Sequence, residues 1–290
     1  MNALTSAIGV FDSGIGGLSI LKALRAAMPS ERFVYFADSK HNPYGVKSEA
    51  FVQERSLSIV HTLISEHQIK ALVVACNTAT AAAIGILRET FPELLIVGVE
   101  PALKTAALAT RTGKVLVLAT RGTLASEKFA QLKAKLVMEH ATTFPMQPSQ
   151  SRQMNKSPLH FDCVPCDGLA ERIEQLATGG QRWQDTPELI ALCAGFMPAT
   201  DSFDLKSGLQ NEAFDTLVLG CTHYPLVRDL FRTLVVGDVQ IMDNALPVAQ
   251  RTAQLIRGSE APSDQAGGVT WLSSTDAVQL VQAARYWGVE

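Results

Sequence analysis

Of the five cysteines in this chain of 290 residues, two stand where a thiol can do chemistry. Residues 71–78 read ALVVACNT, an apolar run long enough for a buried strand that breaks off at Cys76-Asn77-Thr78 before an alanine-rich helical run, 79–87. Residues 215–220, DTLVLG, run in the same way into Cys221-Thr222-His223-Tyr224-Pro225. In an open α/β sheet ligands bind beyond the carboxyl ends of the strands, and a helix N-terminus there favours an anion or a thiolate. A thiolate can be a nucleophile, a metal ligand or a proton acceptor, and one cysteine does not decide among them. Two, placed equivalently in two facing lobes, select proton transfer. Inverting a carbon stereocentre needs one group to remove a proton from one face and another to deliver a proton to the opposite face. One thiolate and one thiol meet that need, and the reaction leaves them ready for the reverse direction. The alternative, two buried core cysteines, is weakened by the matching contexts CNT and CTH. An ordinary thiol near pKa 8.5 is only a few per cent ionised at pH 7, so activation is required, and helix N-termini are expected to supply part of it.

The elements that must hold these residues alternate between strand and helix. Residues 8–11 form a first buried strand, followed by Asp12-Ser13-Gly14-Ile15-Gly16-Gly17 and a helix over 18–27. Such a glycine turn brings backbone N–H groups near an anion. It lacks the full G-x-G-x-x-G spacing, since Leu18 and Ser19 follow, which disfavours a dinucleotide, and Asp12 has the alternative of being a helix cap. A second strand, 33–37, ends in Asp38 before a loop with Pro43-Tyr44-Gly45, where a tyrosine beside glycine offers a hydroxyl and backbone groups to a ligand. Residues 46–67 are helical, the Cys76 strand follows, and another strand spans 94–99. From Glu100-Pro101 the pattern begins again: a helix over 102–110, a strand over 115–119 ending in Thr120-Arg121-Gly122-Thr123, then the Cys221 strand and a closing run at 239–243. Residues 246–257 are helical, and 269–273 are placed as an extra strand returning to the first lobe.

The fold class is therefore α/β, with two pseudo-symmetric doubly wound domains of parallel strands and the active site in the cleft between them. The expected boundaries are 1–98 plus 246–290 for the first domain and 99–245 for the second, with the first crossing near Pro101. Residues 144–160, rich in Pro, Ser, Gln and Asn, read as an exposed loop, and 179–208 as polar linkers around a helix at 187–194. Cys163-Val164-Pro165-Cys166 is a C-x-x-C, but no second pair at zinc-ribbon spacing follows and Cys193 is isolated, so no metal site is expected.

Bulk composition bounds the partners. Apolar residues make up 47% of the chain and the formal net charge is −3, which attracts neither nucleic acid nor an anionic membrane and leaves a small molecule as the expected partner. The opening MNALTSAIGVFDS has no basic region followed by a long apolar one, and no apolar run reaches the roughly 18 residues of a membrane span. A cytoplasmic protein with reduced thiols is expected.

Gly9-Val10-Phe11-Asp12-Ser13-Gly14-x-Gly16-Gly17, Pro43-Tyr44-Gly45, Ala75-Cys76-Asn77-Thr78-Ala79 and Leu219-Gly220-Cys221-Thr222-His223-Tyr224-Pro225-Leu226 closely resemble the glutamate racemases, within the aspartate/glutamate racemase group. Glu100-Pro101-Ala102 and Ala119-Thr120-Arg121-Gly122-Thr123 extend the likeness over most of the chain. The resemblance implies a cofactor-independent bacterial isomerase, a homodimer, that interconverts L- and D-glutamate and supplies the D-isomer for peptidoglycan. It makes Cys76 the proton donor/acceptor for the D-isomer and Cys221 that for the L-isomer. Asp12 and His223 would adjust proton transfer, and Asp12, Ser13, Tyr44, Gly45, Asn77, Thr78, Thr120, Thr222 and His223 would hold substrate. The family pattern ACP-x-FVP-x-VE is replaced here by Asp162-Cys163-Val164-Pro165-Cys166-Asp167-Gly168-Leu169-Ala170-Glu171, and spacing from Cys163 aligns Glu171 with the family's acid.

Overall fold

The computed structural model describes residues 6–143, 158–198 and 214–289. Most of the loop expected at 144–160, and 199–208 of the expected linker, lie outside the described residues. Two parallel sheets organise the rest. The chain begins with β1 (Ile8–Asp12), α1 (Leu18–Ala27), β2 (Arg32–Ala37), α2 (Glu49–His67), β3 (Ala71–Val74), α3 (Asn77–Thr90) and β4 (Leu95–Gly98). It continues through α4 (Leu103–Ala109), β5 (Lys114–Ala119), α5 (Arg121–Ala125), α6 (Glu127–Thr143), β6 (His160–Pro165), α7 (Leu169–Gly179) and α8 (Pro187–Gly195). β7 (Thr216–Leu219), α9 (Arg228–Leu234), β8 (Gln240–Met242), α10 (Ala245–Leu255), β9 (Gly268–Ser273) and α11 (Ala277–Tyr286) complete it.

The first sheet has the order β4-β3-β1-β2-β9 and the second β6-β5-β7-β8, every pairing being parallel. The second order read backwards, β8-β7-β5-β6, superposes on β4-β3-β1-β2, so the repeat seen in the sequence is a repeat of topology. β9 adds to β2 as expected of a returning strand.

Period-two alternation sends successive strand residues to opposite faces, and both faces of each sheet are covered. In the first sheet Val10 and Val73 pack with Leu21 and Leu24 of α1, Val248 of α10 and Leu280 of α11, while Phe11, Leu72 and Val74 pack with residues of α2 and α3. In the second, Leu118 and Leu219 face α7 to α9, while Val117 and Val218 face α4 and α6. Strands buried on both faces are stiff supports for whatever follows their carboxyl ends. No helix among the described residues is long and apolar enough to cross a membrane.

Sequence pattern misses β6. Only Phe161 of its six residues is fully buried, and the strand carries His160 and Asp162 and ends on Pro165, the composition of a sheet edge.

Candidate active site

The register places the two cysteines equivalently. Phe11 pairs with Val74 and Leu118 with Leu219, and each cysteine lies two residues beyond the paired residue, at the cleft side of its sheet. Cys76 and Cys221 are 5% and 7% exposed. Cys76 caps α3, its Sγ accepting from the Ala79 N–H at 3.4 Å and lying 3.8 Å from Ser13 Oγ. The helix-start N–H and Ser13 favour the thiolate, as the sequence suggests, but burial outweighs them. Desolvation, then the charge of Asp12, then that of Cys221, hold the Cys76 thiol well above its ordinary range.

Asp12 ends β1 fully buried. Its Oδ1 accepts from the Ser13 N–H at 2.7 Å, its Oδ2 from the Gly17 N–H, and the Thr222 hydroxyl of the other lobe points at Oδ2 from 3.5 Å. Burial raises this carboxyl to about 6, against the pull of His223 and the backbone donors. The glycine turn does bind carboxylates, and they are the protein's own.

Cys221 opens differently. It is followed by a short 3-10 turn, Tyr224–Val227, rather than a long helix, so no extended helix N-terminus faces its sulfur. An imidazole does: His223 Nδ1 is 3.8 Å from Cys221 Sγ, and His223 Nε2 is 2.7 Å from Glu174 Oε2 on α7. Glu174 Oε2 also accepts from the Ile15 N–H of the first lobe at 3.2 Å. Burial disfavours the imidazolium, yet the contacts with Cys221 and Glu174 prevail and hold His223 well above the ordinary histidine range. The second lobe packs on the glycine turn so closely that a Cβ on Gly14 would fall 2.6 Å from Glu174 Oε1, and one on Gly16 would overlap His223.

Further bonds tie the strand ends across the cleft. Asn77 Nδ2 donates to the Gly220 carbonyl, Ser19 Oγ to the Thr222 carbonyl at 2.9 Å, and the Thr78 and Thr120 hydroxyls meet at 3.1 Å. Asn77 Oδ1 is buried with no hydrogen-bond partner among the described residues.

No protein-family model matches the chain. Sequence relatives do. A glutamate racemase from Ectopseudomonas mendocina (strain ymp) is 40% identical over 287 residues, covering 98% of this chain and 94% of the relative. One from Pseudomonas aeruginosa (strain UCBPP-PA14) is 40% identical over 252 residues, 87% of this chain and 82% of its own. The chain belongs to the glutamate racemases. Solved racemases share its fold. The Bacillus anthracis isoform RacE1 aligns with a TM-score of 0.75 at 27% identity over 98% of this chain and 94% of that one. The Escherichia coli enzyme, solved in complex with L-glutamate and the activator UDP-MurNAc-ala, aligns with 0.74 at 28% over 97% and 95%.

Within this racemase the residues singled out from sequence gather at the cleft, apart from Glu171. Glu171 is exposed on α7, and Glu174, one turn further along, makes the contact with His223. The eight-residue spacing from cysteine to acid is kept if counted from Cys166 rather than Cys163, which is the signal that finds Glu174 from sequence. The Tyr44 hydroxyl donates to Asp38 Oδ2 at 2.6 Å, so the Tyr44-Gly45 backbone, not that proton, is what the turn offers a ligand. Cys163 is half-buried on β6, whereas Cys166 and Cys193 belong to the second-lobe core, where burial lifts the Cys193 thiol to about 12.

Proposed function

We propose that this glutamate racemase inverts Cα by a two-thiol mechanism. The Cys221 thiolate, beside the His223 imidazolium, takes the α-proton of L-glutamate and becomes a thiol. The Cys76 thiol gives its proton to the opposite face of Cα, leaving D-glutamate and a Cys76 thiolate, and the reverse reaction restores the starting pair. The observation that carries this reading is the equivalent placement of the two sulfurs, two residues past paired strand residues and close enough for the charge of one to raise the other.

Substrate is held by Ser13, the Tyr44-Gly45 backbone, Asn77, Thr78, Thr120 and Thr222. The unpartnered Asn77 Oδ1 suits the substrate ammonium, and hydroxyls with helix-start N–H groups suit its carboxylates. As the α-proton leaves, charge spreads into the α-carboxylate, and donors already aimed there lower the barrier without reorganising. Asp12 acts on the Cys76 half and His223, steadied by Glu174, on the Cys221 half.

The lobes correspond to 1–98 plus 246–290 and 99–245, a division supported by the packing of α10 on α1. We place the enzyme in the cytoplasm as a homodimer that supplies D-glutamate for peptidoglycan. The test of the chemistry is α-proton exchange in deuterated water, followed by NMR with each enantiomer. Label is expected to enter glutamate with the wild type, and an enzyme that leaves both enantiomers unlabelled would end the two-thiol reading.

A further inference from the structure

We infer that Arg55 is a positioning residue of this racemase: through Asp38 it fixes the turn that presents the Tyr44-Gly45 backbone to the substrate. The inference rests on the proposed substrate role of that turn. Asp38 follows β2 at the cleft end, with its N–H bonded to the Asp12 carbonyl at 2.9 Å, so it is one residue removed from the floor of the site. Its carboxylate is fully buried, yet it touches no thiol. Instead it collects donors from the turn it begins. Tyr44 donates its hydroxyl to Oδ2 at 2.6 Å, and His41 Nδ1 lies 2.9 Å from Oδ1.

A buried carboxylate between a tyrosine and a histidine still lacks a counter-charge, and Arg55 supplies it from outside the turn. Projecting from the second turn of α2, it sends Nε to Asp38 Oδ2 at 3.0 Å and Nη2 to Oδ1 at 2.9 Å, the two-pronged geometry that fixes orientation as well as charge. Burial alone would lift the Asp38 carboxyl, but the bonds from Arg55, Tyr44 and His41 outweigh it and hold the group near 2. The carboxylate therefore stays charged and the clamp stays closed throughout the working range.

The clamp governs more than one side chain. Gly45 lies against the opposite lobe so tightly that a Cβ there would stand 3.1 Å from Thr120 Cβ, and a Cβ on Gly122 would stand 3.1 Å from the Gly45 carbonyl. Thr120 in turn meets Thr78 at 3.1 Å. The position of the Tyr44-Gly45 turn thus sets one wall of the substrate site and its fit to the second lobe. Arg55 reaches that wall through Asp38, and through its own interaction with Tyr44, so its effect belongs to substrate affinity and not to proton transfer.

The experiment is steady-state racemisation with both enantiomers by Arg55→Met, Arg55→Lys, Tyr44→Phe and the Arg55→Met/Tyr44→Phe double variant, alongside thermal melts. Arg55→Met is expected to raise KM about tenfold for both enantiomers while kcat stays within about threefold. Lysine recovers only part of this, because an ammonium lacks the fork. Tyr44→Phe moves KM the same way, and the double variant falls short of the product of the singles because both act through Asp38. A purely structural role gives a different signature, loss of active enzyme that lowers apparent kcat and leaves KM in place, and that result overturns the inference. So does a KM within about twofold of wild type in an Arg55→Met enzyme that melts normally. Should Arg55→Met fail to fold, Tyr44→Phe decides by the same criterion. A wild type that exchanges no α-proton instead overturns the reading on which the inference depends.

Discussion

On the proposed mechanism, the two lobes use one strand scaffold to build two unlike proton-transfer stations. Register makes Cys76 the counterpart of Cys221, Ser13 that of Thr120, and Asp12 that of Ala119. The first lobe thus has an acid at the end of its central strand where the second has a methyl group. What the second lobe lacks there it takes from the residues after its cysteine: His223, the counterpart of Thr78, leans back on Cys221 and is steadied by Glu174. The capping differs as well, with a helix of 14 residues behind Cys76 and a 3-10 turn of four behind Cys221. Topological equivalence therefore fixes where the sulfurs stand, and their partners differ, a buried carboxyl near 6 on the Cys76 side and a strongly basic imidazole beside Cys221. A reversible inversion gains from that inequality, since it needs one donor and one acceptor at any moment.

The sharpest way to break the comparison is to delete one station at a time. Cys76→Ala and Cys221→Ala are each expected to lose racemisation by at least about 10³-fold, because no group remains to complete the inversion. Each should retain exchange on the face it still serves, so Cys76→Ala labels L-glutamate only and Cys221→Ala labels D-glutamate only. If either variant exchanges both enantiomers, or neither exchanges any, the division of faces is wrong.

Next in size come the partners. Asp12→Asn and His223→Asn are each expected to lower kcat/KM by about 10²-fold. The enantiomers are equally stable, so kcat/KM falls alike in both directions and cannot tell the stations apart. Isotope effects can. Slowing transfer at Cys76 should raise the primary deuterium effect on α-deuterated D-glutamate and lower it on the L-isomer, and His223→Asn should do the reverse. Identical isotope patterns in the two variants would show that the stations are not independent.

How much of this was legible beforehand follows from where the signal sits. Runs such as Ile8–Asp12 and Thr216–Leu219 are buried on both faces and read as strands from composition alone, and the cysteines are marked by the break from apolar to small polar residues. The edge strand His160–Pro165 buries too little to show a pattern. Spacing from Cys163 points to Glu171, whereas the contact with His223 is made by Glu174 one helical turn on. Cys163 and Cys166 offer the same spacing to two glutamates, and only the phase of α7 against His223 decides between them. The Tyr44 to Asp38 to Arg55 chain spans a strand end, a turn and a helix, so no local window contains it. The net state of Cys76 was not legible at all, because the helix-start N–H is a sequence feature and desolvation is not.

The carboxyl pair Asp12 and Asp38 shows two buried acids of one lobe shifted in opposite directions. Asp12 is raised from 3.8 to about 6, so the native state holds that proton more tightly than the unfolded chain. Its contribution to stability is present below pH 3.8 and is lost as pH rises through 6. Asp38 is lowered to about 2, so its contribution is present above pH 3.8 and is lost as pH falls towards 2. Asp12→Asn removes the first dependence. Measured by denaturant unfolding, its stability relative to wild type should improve by about 2.5 kcal/mol between pH 4 and pH 8, most of the span of a shift of roughly two pK units. A flat difference over that range would mean that Asp12 is not held neutral by its burial.

The smallest of these effects probes how one lobe steadies the other's station. Gly14 leaves room for Glu174, and the Ile15 N–H beside it donates to the carboxylate that orients His223. In Gly14→Ala the methyl group would stand 2.6 Å from Glu174 Oε1, and the glutamate, being flexible, moves aside rather than unfolding the turn. His223 then keeps its place near Cys221 but loses its steadying partner. A fall in kcat/KM of about tenfold is expected, or about 1.4 kcal/mol, with the isotope signature of His223→Asn and not of Asp12→Asn. The opposite signature would place the damage in the Asp12 turn, and the glycine would then serve the first station instead of the second.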